Sequence, residues 1–243
     1  MAVIELDGLT NRYRGVTAVD GLTLALQAGR VTGFVGANGA GKTTTIRMIL
    51  GLTRPTAGRA TIDGHAYADI TDPARSVGAM VDPHVFHPTR SGRNSLRVIA
   101  RAAGIPERRV DDVLDLVDLS TQARRRTGGY STGMRQRLAL AAALLGDPAT
   151  LLLDAPGNGL DPQGIHWLRH LIRTMAAEGR TVLISSHLLA ELAQTVDDVV
   201  IIDHGRLVTH QSMSDLLARA HGRSLEEVYL TLTLPDSTPE DPS

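Results

Sequence analysis

Two short stretches of this chain carry residues whose types and spacing can do chemistry on phosphate. The first is GANGAGKTT, Gly36 to Thr44, in which Gly36, Gly41, Lys42 and Thr43 fit the spacing G-x-x-x-x-G-K-[ST]. Glycines there let backbone N–H groups curl around phosphate oxygens, because they reach dihedrals closed to other residues and add no bulk. A helix that starts at such a loop points its positive end at the same anion. Lys42 adds a mobile positive charge for the outer phosphates, and Thr43 offers a hydroxyl to Mg2+. The ligand this predicts is a nucleoside triphosphate. The second stretch is LLLDAPGNGLDP, Leu151 to Pro162. An apolar strand ending in Asp154 places a carboxylate where the same Mg2+ could be held, directly or through water. A hydrolytic site would carry a second acid beside it to orient the attacking water, yet residue 155 is alanine.

The elements that must position these groups emerge from patterning. Leu22, Leu24 and Leu26 alternate with Thr23 and Ala25, which predicts a strand with one buried face, and VIELDGLTNRY before it reads as extended. Gly29 turns the chain into the short apolar strand RVTGFVG, and Thr43 to Leu52 reads as the helix after the phosphate loop. GRATIDG and Val77 to Val81 are further strands. From Ser91 to Gly146 the spacing turns helical, in SLRVIARAAG, RRVDDVLDLVDL and GMRQRLALAAALLG. Alternation then resumes: ATLLLD, a helix from Pro162 to Glu178, TVLISS, a helix from His187 to Gln194, and DDVVIID. Strands alternating with helices predict a parallel sheet with helices packed on it.

Composition narrows the function classes. The chain has 243 residues, 42% hydrophobic and 21% charged, with a formal net charge of −1. That is globular composition, and no overall field favours nucleic acid. There is no cysteine, so no disulfide framework, and a reducing compartment is natural. The longest apolar run, Leu138 to Leu145, is far short of the roughly 20 residues that span a bilayer. The N-terminus lacks the layout of a signal peptide, so work at a membrane would need a partner.

The order of the pieces is specific. A phosphate loop is followed by a helical insertion, then YSTGMRQRLALAAALLGDPATLLLD, then GLDP, then VLISSH. This resembles the ATP-binding subunit of ABC transporters over nearly the whole chain. The C-terminal SLEEVYLTLT is similar to the end of such subunits in drug, antibiotic and bacteriocin exporters. The resemblance implies an α/β fold: a P-loop NTPase core of mostly parallel sheet with helices, an N-terminal antiparallel β subdomain and an inserted helical subdomain. Residues 1–234 are expected to form one nucleotide-binding domain, with the helical subdomain at about 86–146 and a disordered tail at 235–243.

The same resemblance implies the site. Gly36, Ala37, Asn38, Gly39, Ala40, Gly41, Lys42, Thr43 and Thr44 would hold ATP, with Tyr13 and Ala18 in the loop that stacks on adenine. Thr43, Asp154 and Asp82 would bear on the metal, and Asp82 would link to the membrane subunit. Ser131, Thr132, Gly133 and Met134 match the signature segment, which would reach the ATP of a second subunit in a head-to-tail dimer. Asp161 lies in the D-loop, and His187 sits where the family has its switch histidine. The implied partners are a second nucleotide-binding subunit, in a homo- or heterodimer, and a separate transmembrane permease. No nucleic acid is implied, and the implied location is the inner face of the cell membrane, reached through the permease.

Three departures matter. Thr132 replaces a glycine, Asp82 replaces a glutamine, and Ala155 replaces the glutamate that orients or deprotonates the attacking water. Alanine accepts no proton, and losing a general base costs about 100- to 10,000-fold in rate, roughly 3–5 kcal/mol. The expectation is a subunit that binds ATP and dimerises but hydrolyses slowly. It would power or gate export, or else act as an ATP-gated binding module. A degenerate subunit beside an active one, an engineered ATP trap and residual turnover through His187 all fit the residues. Single residues also have plainer readings: Ser131 as a helix N-cap, Arg12 and Arg14 as solvated strand residues, His166 and His170 as surface residues. Arg124 to Gly129 reads as a solvated charge run.

Overall fold

In a computed structural model, residues 2–13, 15–82, 85–187, 189–220 and 223–233 are described. The alternating start forms β1 (Ala2–Tyr13) and β2 (Val16–Gln27), an antiparallel pair, with β4 (Ala57–Ile62) on the other edge of β1. Leu22, Leu24 and Leu26 are buried along one face of β2.

The second sheet has six strands: β3 (Val31–Val35), β5 (Val77–Met80), β6 (Thr150–Leu153), β7 (Thr181–Ser186), β8 (Asp198–Asp203) and β9 (Arg206–Ser212). Their order is β5-β6-β7-β3-β8-β9, and every pairing is parallel except the antiparallel β8–β9 hairpin. All residues of β3, β6 and β7 are buried, as expected of parallel strands covered on both faces. Period two then sorts their side chains. Leu151, Leu153, Val182, Ile184, Val199 and Ile201 join the core under the helices. Leu152, Leu183, Val200 and Ile202 face the other way, into a core shared with the antiparallel sheet and with α1 (Lys42–Ile49).

The short α2 (Pro73–Ser76) leads into β5. Three longer helices sit between β5 and β6: α3 (Gly92–Ala102), α4 (Arg108–Leu116) and α5 (Thr132–Leu144). Leu96, Ala100, Val110, Val113, Leu114 and Leu138 are buried among them. Tyr130 closes this unit just before α5. Its ring is buried, its hydroxyl donates to the Gln122 carbonyl at 2.9 Å, and a Cβ on Gly92 would lie 2.3 Å from that hydroxyl. The stretch Arg124 to Gly129 divides: its arginines are exposed, but Thr127 is buried and donates to the His87 carbonyl at 2.9 Å.

α6 (Pro162–Ala177) and α7 (Leu189–Leu192) come after β6 and β7, and α8 (Met213–Ala220) and α9 (Leu225–Thr233) end the described chain. β9, α8 and α9 add to the elements legible in the sequence. Residues 235–243, expected to be a tail, lie outside the described residues.

α5 lies very close to the sheet. A Cβ on Gly78 in β5 would stand 2.2 Å from the Ala143 carbonyl oxygen and 2.8 Å from Leu151 Cδ2. Overpacking of this kind costs about 1–3 kcal/mol. Gly78→Ala is therefore expected to lower the thermal midpoint by several degrees, and an unchanged melting curve would contradict so tight an α5–β5 contact.

Candidate functional site

Parallel β3, β6 and β7 all end at one edge of the sheet, so the segments leaving the three strands meet there. After β3 comes the phosphate loop. Gly41 has φ 105°, and a Cβ on it would lie 2.5 Å from the Ala18 carbonyl oxygen. Only glycine fits at that point, which starts α1 with its N–H groups toward the cleft. Ala37, Asn38 and Gly39 are exposed, while Gly36 and Ala40 are buried. Lys42 Nζ folds back on the loop, donating to the Gly36 carbonyl at 2.6 Å and the Ala37 carbonyl at 3.0 Å. Burial lowers its pKa, and the nearby Asp154 carboxylate opposes the shift.

After β6 comes Asp154. Its backbone N–H donates to the Met80 carbonyl at 2.8 Å, which pins the residue to β5. One carboxylate oxygen accepts from the Thr43 hydroxyl at 2.6 Å and the other from the Ser185 hydroxyl at 2.5 Å. Thr43 and Asp154 thus stand in contact as a two-oxygen set. That is the small protein contribution Mg2+ takes when phosphate oxygens and water complete its shell. Among the described residues no cluster of three or more His, Asp or Glu could hold a metal alone.

Ala155 lies in the left-handed region at φ 46°, and its N–H donates to Ser185 Oγ at 2.9 Å. Its side chain lines the main cleft, about 520 Å³, together with Lys42, Thr43, Asp154, Thr132, Gly159 and His187. His187 is exposed one residue past β7. The cleft therefore holds a cation, a hydroxyl–carboxylate pair and an imidazole, with Ala155 directly after the carboxylate.

The other expected site residues lie elsewhere. Ser131 caps α5, its Oγ accepting from the Met134 N–H at 3.2 Å. Asp161 caps α6, Oδ1 accepting from the Gly164 N–H at 2.7 Å. Ser131, Thr132, Gly133 and Asp161 line a second cleft of about 370 Å³, and among the described residues only Thr132 and Gly159 border both. Met134 also reaches the second cleft and packs against the helical core. Tyr13 is 64% exposed at the end of β1. Asp82 is exposed and borders a third groove with Arg47, Leu52, Tyr67, Val85 and Phe86; its neighbour Val81 reaches the main cleft. One chain thus brings together the loop, Asp154, Ala155 and His187, and keeps most of the signature segment apart from them.

Two residues of this edge are not legible in the sequence. Ser185 shows there only as one of two serines in TVLISS. Tyr229 of α9 packs partly buried against the core and meets the Ala37 backbone N–H, with burial pushing its phenol pKa up.

Lys42→Ala is expected to weaken Mg-ATP binding by roughly ten- to a hundredfold, the worth of about 1.5–3 kcal/mol for a hydrogen-bonded charge. Calorimetry showing equal affinity for both proteins would contradict the phosphate-loop assignment.

The sequence profile of the family described as ABC transporter matches residues 19–158. The bacitracin transport ATP-binding protein BcrA of Bacillus licheniformis is 42% identical over 209 residues, covering 85% of this chain and 68% of BcrA. The daunorubicin resistance ATP-binding protein DrrA3 of Streptomyces coeruleorubidus is 35% identical over 233 residues, covering 93% of this chain and 73% of DrrA3. Among solved structures, an ATP-binding subunit of an ABC transporter superposes with a TM-score of 0.84 at 29% identity, covering 95% of this chain and 99% of that one. The α/β core with its antiparallel sheet, the phosphate loop and this likeness agree: the chain belongs to the ABC transporter family, as an ATP-binding subunit.

Proposed function

We propose that this chain binds Mg-ATP in a head-to-tail dimer, powers or gates export through a separate transmembrane permease, and hydrolyses ATP slowly. The observation that carries the reading is the pair Asp154–Ala155: a carboxylate held by Thr43 and Ser185, followed by a methyl group. In this reading Gly36 to Thr44 hold the phosphates, and Tyr13 and Ala18 take the adenine. Thr43 and Asp154 hold Mg2+, which would neutralise charge on the outer phosphates. His187 contacts the γ-phosphate. Ser131, Thr132, Gly133 and Met134, with Asp161, face the nucleotide of the second subunit, which accounts for their separate cleft in one chain.

Hydrolysis adds water to the γ-phosphorus, breaks the bond to the β–γ bridging oxygen, and yields ADP and phosphate with release of a proton. Ala155 can neither orient that water nor take its proton, so the step loses its general base.

Export rests on the names of the relatives, which transport bacitracin or confer daunorubicin resistance. No helix among the described residues is long and apolar enough to cross a membrane. In this reading a separate transmembrane permease supplies the pathway, and this chain sits on the inner membrane face through it. The groove beside Asp82 suits it, because Leu52 and Val85 are each 67% exposed there. Ala155 equally favours a second reading, an ATP-gated binding module in which hydrolysis is incidental. Copurification with a membrane protein separates the two.

Ala155→Glu is expected to raise ATP turnover at least about tenfold, as restoring a general base should. Unchanged turnover in a variant that still binds ATP would overturn the idea that only the base is missing.

A further inference from the structure

α5 begins at the signature segment and then runs beside the turn that carries Ala155. Gln136, five residues beyond Ser131, is 4% exposed and borders the main cleft. Its Nε2 donates to the Asn158 carbonyl at 2.8 Å and to the Ala155 carbonyl at 3.4 Å. Both partners are acceptors, so the amide nitrogen must face them and its orientation is fixed by chemistry. The amide oxygen is buried without a donor.

Two further contacts join the same parts. The Thr132 methyl packs on Gly159, where a Cβ would lie 2.5 Å from Thr132 Cγ2. Gly159 has φ 75°, so the D-loop turns there and leaves room for the threonine that replaces a glycine. One residue past Gln136, the Arg137 guanidinium lies 4.3 Å from the ring centroid of Trp167 on α6. The same guanidinium donates to the Val117 carbonyl at 2.9 Å. α5 is therefore fastened to segment 155–167 at three places, and Gln136 is the fastening that grips the catalytic turn itself.

We propose that Gln136 is a positioning residue that carries the state of the signature segment to the Ala155 turn of the same subunit. The inference rests on the dimer reading above. There, a subunit's signature segment touches one ATP while its own Ala155 turn faces the other. Gln136 then links the two nucleotide sites through a buried side chain rather than across the interface. Movement of α5 toward a bound γ-phosphate pulls on the Ala155 and Asn158 carbonyls, and the turn moves with it.

Trp167, the one tryptophan of the chain, stands at this joint and reports on it. The experiment titrates Mg-ATP into the full chain, recording Trp167 emission, bound nucleotide and backbone hydrogen exchange. In the unsubstituted chain, peptides covering 131–137 and 155–160 are expected to gain protection together, at the same ATP concentration as the emission change. Gln136→Met keeps the volume and removes both hydrogen bonds. It is expected to shrink the response of 155–160 and of Trp167 by about fivefold or more while nucleotide is still bound. In an Ala155→Glu background the same substitution is expected to lower kcat by about tenfold and shift KM by less than about threefold. Protection of the two segments at different ATP concentrations in the unsubstituted chain would overturn the proposal, and that arm requires no variant to fold. An undiminished response in Gln136→Met would overturn it as well. An unsubstituted chain that binds no Mg-ATP would overturn both this inference and the function on which it rests.

Discussion

The carboxylate of Asp154 is the point on which the rest of the molecule converges. Three strands and a helix meet at this residue: its backbone N–H ties β5 through the Met80 carbonyl, its carboxylate ties β7 through Ser185 and α1 through Thr43, and it directly follows β6. The carboxylate is half-buried, and each of its oxygens accepts a hydrogen bond. Lys42 borders the same cleft, and the Asp154 charge partly offsets the effect of burial on its ammonium. A parallel sheet is the economical way to build such a place. Successive strands deliver the residues after them to one edge, and the buried faces of β3, β6 and β7 keep that edge rigid.

The residue after Asp154 is the one on which the proposed slow turnover rests. Ala155 adopts a left-handed conformation that costs an L residue roughly 1–2 kcal/mol. The turn is held against that strain by the Ser185 bond to its N–H and the Gln136 bond to its carbonyl. The backbone is thus shaped to present a side chain to the cleft, and the side chain presented is a methyl group. In the proposed reading, binding would rest on the loop amides, Lys42, Thr43 and Asp154, and slow turnover on the absence of a base at residue 155.

Legibility in the sequence tracks how local the determinants are. The phosphate loop can be read because its glycines serve dihedrals and close contacts within a few residues, as at Gly41. β3, β6 and β7 can be read because burial on both faces leaves continuous apolar runs. The helical insertion shows in its spacing. β9 does not show, because an edge strand with mixed exposure carries no clean alternation. α9 is a different case: Ser224 and Glu227 form reciprocal backbone hydrogen bonds at its start, a signal present in SLEE that enters the sequence reading only as part of a resemblance. Ser185, Gln136 and Tyr229 are illegible for one reason. Each acts on a partner at least 19 residues away in the chain, so only the fold pairs them.

The central claim is a closed dimer that ATP forms and slow hydrolysis preserves. Ligand that binds only the closed form shifts the monomer–dimer equilibrium by mass action. The most direct measurement is sedimentation of the full chain with saturating Mg-ATP, with ADP and without nucleotide, alone and mixed with a partner subunit. A dimer is expected with Mg-ATP alone among these conditions, abolished by Ser131→Arg, which puts bulk and charge at the signature segment. A chain that binds Mg-ATP yet stays monomeric in every mixture would contradict the claim.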